Sequence, residues 1–167
     1  PGRVEGDRVV EFGAPSLASW LESGGDEVGE HPLDAVRLVA PIPHPPSVRD
    51  FYAFERHVAS ARAQRGLEMA PEWYRIPVFY FSNPAAVYGP EDEIVFPPES
   101  SARDYELEVA AVIGRAGADL TPEQAGDHVV GYTLFNDWSA RDLQVHEFQF
   151  PMGPSKSKDA AITLGPW

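Results

Sequence analysis

The segment RDYELEVAAVIG, residues 103–114, constrains this chain more than any other. Two glutamates one residue apart open a strongly apolar run that Gly114 ends, and the run reads as a strand. Side chains two apart on a strand share a face. Glu106 and Glu108 therefore point one way, and Tyr105, Leu107 and Val109 the other. Two readings fit a pair of like charges in that place: the solvated face of an edge strand, or two corners of a metal site. The run VVGYTLFND, residues 129–137, reads as a buried strand beside it.

The remaining segments are short. RVVEF (8–12) is a strand candidate and SLASWLE (16–22) a helix candidate, after which GGDEVGEHP (24–32) forms a polar, glycine-rich connection. AVRLVAPIPHPP (35–46) starts as a strand and is stopped by prolines, which cannot donate to a ladder. Residues 47–68 predict a helix with Asp50 at its N-cap, Phe51, Phe54, Val58 and Ala61 on one stripe, and Gly66 as its stop. Residues 77–98 give short strands broken by Asn-Pro and Gly-Pro turns. Residues 119–129 open like a capping box and form a short helix or turn. A capped helix is expected over 137–147, then a loop and a final strand. Many short strands with two or three short helices define a mixed α/β, mostly β architecture.

Composition removes several classes of function. The chain has no cysteine, which excludes disulfide scaffolds, thiolate zinc sites, iron–sulfur clusters and cysteine nucleophiles. Acidic residues outnumber basic ones 26 to 13, for a formal charge of −13. Such a chain repels phosphate backbones, so nucleic acid is not an expected partner, whereas hard cations that take oxygen ligands are. No apolar run approaches the roughly 20 residues that span a bilayer, so no membrane association is expected.

Asp137 sits at the end of an apolar strand, where an N-cap is one reading. With 138–145 helical, Arg141 and Gln144 share its face at four and seven residues' distance. That face carries a carboxylate, a guanidinium and an amide, which can hold a cation, hold an anion and orient a ligand. Asp50 and His57 repeat the seven-residue spacing on the earlier helix, where a cap and a surface histidine are again an alternative reading.

Four strings, RDFYAFERH, DYELEVAAVIG, FNDWSARDLQ and MGPSKSKDAAITLGPW, occur in one order along residues 40–167. In that order and spacing the chain resembles the fumarylacetoacetate hydrolase family; residues 1–39 carry little of the likeness. The resemblance implies a curved mixed β-sheet roll with a few short helices, here truncated at the C-terminus. It divides the chain into an N-terminal lead-in (1–39) and the first part of a catalytic domain (40–167). It implies a divalent cation, Mg²⁺ or else Ca²⁺ or Mn²⁺, bound by Asp50, Glu106, Glu108 and Asp137. His57 would be the general base that activates water, and Arg141, Gln144 and Lys158 would surround the oxygens of a keto-acid substrate. The implied reaction is metal-dependent hydrolysis of a carbon–carbon bond in a 1,3-diketo acid, of the fumarylacetoacetate or acylpyruvate type, in aromatic catabolism. Relatives that decarboxylate, isomerise or hydrate keto acids supply an alternative, and a non-catalytic cation-binding module is another. A cytoplasmic homodimer is the expected setting. Four carboxylates converging on one point need protons or a cation to coexist, because two of them ~4 Å apart repel by about 4 kcal/mol at an effective dielectric near 20.

Overall fold

The computed structural model describes residues 1–166; Trp167, the last residue of the fourth string, lies outside the described residues. Three strands, β1 (Gly2–Glu5), β2 (Arg8–Phe12) and β3 (Glu27–Pro32), form an antiparallel sheet in the order β1-β2-β3. The glycine-rich stretch 24–32, expected to be a connection, thus supplies a strand. Charge rather than apolar alternation pairs it: Arg3 reaches Glu27 at 2.9 Å, Arg8 reaches Glu30 at 3.0 Å, and His31 meets Glu11 at 2.9 Å. Helix α1 (Leu17–Ser23) intervenes, as expected. The Ser16 hydroxyl accepts the Ser19 N–H at 3.1 Å to start it, Gly24 at φ 69° ends it, and Trp20 stacks on Phe12 with ring centroids 4.3 Å apart. The strand expected from residue 35 does not form. Leu33–Ala35 is a single 3₁₀ turn, and the proline-rich stretch beyond it is irregular.

The helix expected over 47–68 is two elements. Residues Val48–Phe51 are a strand, β4, antiparallel to β5 (Phe79–Ser82), and α2 spans only Glu55–Ala63. The backbone of this aromatic-rich stretch is committed to pairing: Tyr52 N–H extends the ladder to Val78 C=O at 2.8 Å, and Phe54, still extended, occupies the N-cap position. Of the predicted apolar stripe only Val58 is buried. Asp50 is a strand residue, and its side chain faces Tyr80 across the ladder rather than capping a helix.

The third sheet runs β6-β9-β8-β7, from β6 (Val87–Tyr88), β7 (Arg103–Ile113), β8 (Val129–Ala140) and β9 (Ile162–Leu164). Its β6–β9 pair is parallel and the rest antiparallel, which makes it a mixed sheet. The expected stop at Gly114 holds. Helix α3 (Pro122–Gly126), with a Thr121–Gln124 capping box, lies in the connection from β7 to β8. Helix α4 (Arg141–Glu147) follows β8 without a break, so the expected helix starts four residues late. The ladder claims Asp137, which stands opposite Glu106. The mostly β architecture is as expected, with four short helices among the described residues rather than two or three. Ala40, Phe135, Ile162 and Leu164 form the core, with Val48, Val87 and Ala110 packed against it. Among the described residues the segment near 160–166 leaves little apolar surface open. Ala161, Ile162 and Leu164 are buried, whereas one face of β7 and β8 leaves Leu107, Val109, Tyr132 and Leu134 open. Among the described residues no helix is long and apolar enough to cross a membrane.

Candidate metal centre

Register brings the carboxylates together. Glu106 on β7 stands opposite Asp137 on β8, and Glu108 follows Glu106 on the same face. Asp50 arrives from β4, and one of its carboxylate oxygens lies within 4.8 Å of oxygens of Glu106 and Glu108. Asp137 is tied to the group through shared donors. The Tyr80 hydroxyl donates to Asp50 at 2.9 Å and also to Asp137. Lys158 Nζ sits against Asp137, against Glu106 at 2.8 Å and against the Ser139 hydroxyl at 2.8 Å. Arg141 donates to Asp104, Glu106 and Gln144 at 2.8, 2.8 and 2.9 Å. Seven of the eight predicted site residues therefore form one connected group.

His57 does not join it. The helical face it was expected to share with Asp50 does not exist, because Asp50 lies in β4, five residues before α2 begins. His57 is exposed and packs edge-on against Tyr52 at 5.4 Å between ring centroids, and among the described residues its ring makes no hydrogen bond. An open cleft of about 430 Å³, lined by Tyr52, Trp73, Arg75 and their neighbours, lies on this side, and none of the carboxylates of the cluster lines it.

Electrostatics follow the geometry. Burial pushes Asp50 up to about 6, against the pull of the Tyr80 hydrogen bond, and the charge of Asp137 adds to the rise. Burial pushes Glu108 up to about 8, helped by the carboxylates of Asp50, Asp137 and Glu106. Burial also raises Asp137, opposed by Lys158. Glu106 goes the other way: burial disfavours its charge, yet Lys158 and Arg141 hold its carboxyl below the usual range. Tyr80 is raised by burial and by the two carboxylates it serves, so it remains a neutral donor.

A hard divalent cation fits this arrangement. Three carboxylates face one another, and among the described residues Asp137 keeps Oδ1 buried without any hydrogen-bond partner. All-oxygen donors of this kind suit Mg²⁺, Mn²⁺ or Ca²⁺. Tyr80 and Ser139 join the cluster without any signal in the sequence. Nothing in FYF or in WSA signals them; only the β4–β5 and β8 registers bring them to the cluster.

The chain is similar to known proteins along most of its length. The profile of the fumarylacetoacetate (FAA) hydrolase C-terminal family matches residues 47–167. Oxaloacetate tautomerase YisK of Bacillus subtilis (strain 168) is 37% identical over 167 residues, 98% of this chain and 53% of that protein. Fumarylacetoacetase of Arabidopsis thaliana is 31% identical over 157 residues, 82% of this chain and 37% of that protein. The solved fumarylacetoacetate hydrolase (EaFAH) of Exiguobacterium antarcticum superposes with a TM-score of 0.70 at 30% identity, over 99% of this chain and 60% of that one. The 5-carboxymethyl-2-hydroxymuconate delta-isomerase of Mycobacterium smegmatis gives 0.69 at 30%, over 100% and 60%. The chain thus spans about half the length, or less, of these curated relatives.

Proposed function

This chain belongs to the fumarylacetoacetate hydrolase family, and from that premise we propose that it carries the cation-holding part of an enzyme that forms and stabilises the enolate of a small keto acid. Tautomerisation or isomerisation is the preferred reaction. One observation carries this reading: the Lys158 ammonium, 5% exposed, is held among Glu106, Asp137 and Ser139 beside the facing carboxylates. That is an arrangement for countering negative charge as it develops on an oxygen. The likeness to a tautomerase over nearly the whole chain supports it.

Asp50, Glu106 and Glu108, with Asp137 behind them, would hold the cation. When bound, it would neutralise the cluster and polarise a carbonyl oxygen. The chain's own groups do the rest. Arg141, braced by Asp104 and Gln144, presents a guanidinium to a substrate carboxylate. Lys158, whose three N–H donors serve Glu106, Asp137 and Ser139, would turn one of them to the enolate oxygen once the cation neutralises those carboxylates, and the buried surroundings would strengthen that hydrogen bond. In the enol-to-keto direction water would take the O–H proton and water would return one to carbon, so no proton is gained or lost overall.

Hydrolysis of a carbon–carbon bond is the second reading, favoured by the fumarylacetoacetases among the relatives. It needs a base to activate water, and His57 would have to turn toward the cluster to serve. The deciding experiment presents the full-length protein and Mg²⁺ with enol oxaloacetate, acylpyruvates and fumarylacetoacetate. We expect loss of enol absorbance without cleavage products, and the same rate in His57→Ala. Cleavage products that vanish in His57→Ala would establish hydrolysis instead, and no turnover of any substrate would leave a cation-binding module.

A further inference from the structure

The chain has only two lysines, Lys156 and Lys158, and they stand one residue apart in opposite surroundings: the first exposed, the second buried in the site. The ammonium of the second is met by Glu106, Asp137 and Ser139, and the turn that carries it is gripped by one further carboxylate. Glu147, the last residue of α4, accepts at Oε1 from the Ser155 hydroxyl at 2.9 Å and the Ser157 N–H at 3.0 Å. At Oε2 it accepts from the Ser155 N–H at 3.0 Å and from the Ser157 hydroxyl. Lys158 N–H then closes back on Ser155 C=O at 3.1 Å, so the turn that Glu147 grips is the turn that aims Lys158.

We propose that Glu147 is a positioning residue for Lys158, acting through the Ser155–Ser157 turn. The proposal rests on the role of Lys158 as donor to the enolate oxygen. The approach to the turn is held only lightly: Phe148, Phe150 and Met152 are exposed, Arg65 covers the Phe148 ring at 5.1 Å, and Gly153 adopts φ 79°. One further tie fixes the turn to the end of β8, from Ala140 N–H to Ser157 C=O at 2.8 Å. Glu147 is also the point where α4 couples its two ends. Arg141 and Gln144 face the cluster from the first turns, and the last residue sets the lysine opposite them.

The position demands a carboxylate. Each oxygen faces one backbone N–H, so an amide in either orientation would turn its NH₂ against a donor. The burial of Glu147 opposes its charge, but the donors of Ser155 and Ser157 hold its carboxyl below the usual range.

The test is lysine acetylation of the full-length, Mg²⁺-loaded protein, read peptide by peptide by mass spectrometry. In the parent, Lys156 reacts and Lys158 is protected. In Glu147→Gln the Lys158 rate should rise toward that of Lys156, whose own rate stays constant. Continued protection of Lys158 in the folded variant overturns the proposal. Should circular dichroism show Glu147→Gln unfolded, Ser157→Ala takes its place: a partial rise supports the latch, and no rise overturns it. Labelling needs no substrate, so it decides the latch even if the parent turns over none of the keto acids. Where turnover is measurable, Glu147→Gln should lower kcat by about 10²-fold, with the Mg²⁺ requirement unchanged. It should add no further loss in a Lys158→Met background, and an additive loss would count against coupling between the two.

Discussion

On one face of the β7–β8 ladder Glu106 stands opposite Asp137, and both are shielded. On the other, Val109 stands opposite Leu134 and Ala111 opposite Tyr132, and the large apolar side chains lie open. Leu107 is 70% exposed and Tyr132 69%. Residue polarity alone would assign burial the other way round. The difference lies in what each face is given to pack against. The acidic face receives Asp50 and Tyr80 from β4–β5, Lys158 from its turn and Arg141 from α4. Those groups supply the hydrogen bonds and opposite charge that make buried carboxylates tolerable. Within the described residues the apolar face receives nothing comparable.

The sharpest way to break this contrast is to remove the cation that the acidic face relies on. Lys158→Ala leaves Asp137 fully buried beside Glu106 without its ammonium. In the metal-free protein it should cost about 3–5 kcal/mol, measured by denaturant unfolding. A loss near zero would mean that solvent reaches Asp137 and that the face is not truly shielded. Tyr80→Phe comes next. It removes the one hydroxyl shared by Asp50 and Asp137, and should cost about 1–3 kcal/mol. It should also weaken Mg²⁺ binding by about 10–100-fold in calorimetric titration. Unchanged affinity would show that the phenol orients neither carboxylate.

The third prediction uses pH. Asp50 is pushed up to about 6 and Glu108 up to about 8, both above exposed carboxyls. The metal-free folded state therefore holds protons that the unfolded chain has released. Its stability should fall as pH rises from about 4 to about 8. Mg²⁺ should remove that decline by pairing the ionised carboxylates. Melting temperatures across this range, with chelator and with Mg²⁺, check it; a chelated protein that gains stability toward pH 8 would contradict the shielding.

How much of this was legible in the sequence differs by residue. Glu106 and Glu108 could be placed on one face from a single strand, because the period of two is local. That Asp137 faces Glu106 could not, since it depends on the pairing register of two strands separated by a helix and a loop. Reading Asp137 and Asp50 as N-caps failed for one reason. Each precedes a helix, but the backbone goes on pairing as a strand, to Ala140 in one case and Phe51 in the other. Apolar spacing at 51, 54 and 58 imitates a helical stripe across a segment that begins as strand β4 and turns helical only at Glu55. The polar β3 escaped because its partners are charges on β1 and β2, which apolar periodicity does not register. Of the residues that the family strings supplied, the structure brings Lys158, Arg141 and Gln144 into one cluster and places His57 outside it.

The smallest expected effect lies on the open face. Leu107→Ser should change the stability of this chain by no more than about 0.5 kcal/mol, as surface substitutions do. A clearly larger loss in chemical denaturation would show that the face is covered in solution, and the contrast between the two faces would shrink accordingly.

The ladder also separates what can vary from what cannot. From Glu106 to Ile113, where the pairing ends, seven residues at roughly 3.3 Å each put about 23 Å between the carboxylates and the connection that carries α3. Length changes between Gly114 and His128 therefore leave the site's geometry alone, and a peptide tag or a fluorophore can be inserted there. A single deletion between Arg103 and Glu106 is different in kind. By slipping the strand one place it would turn Glu106 and Glu108 outward and bring Leu107 and Val109 into their positions. For anyone engineering this protein, the connection is the handle and the first turns of the ladder are the part that must not be touched.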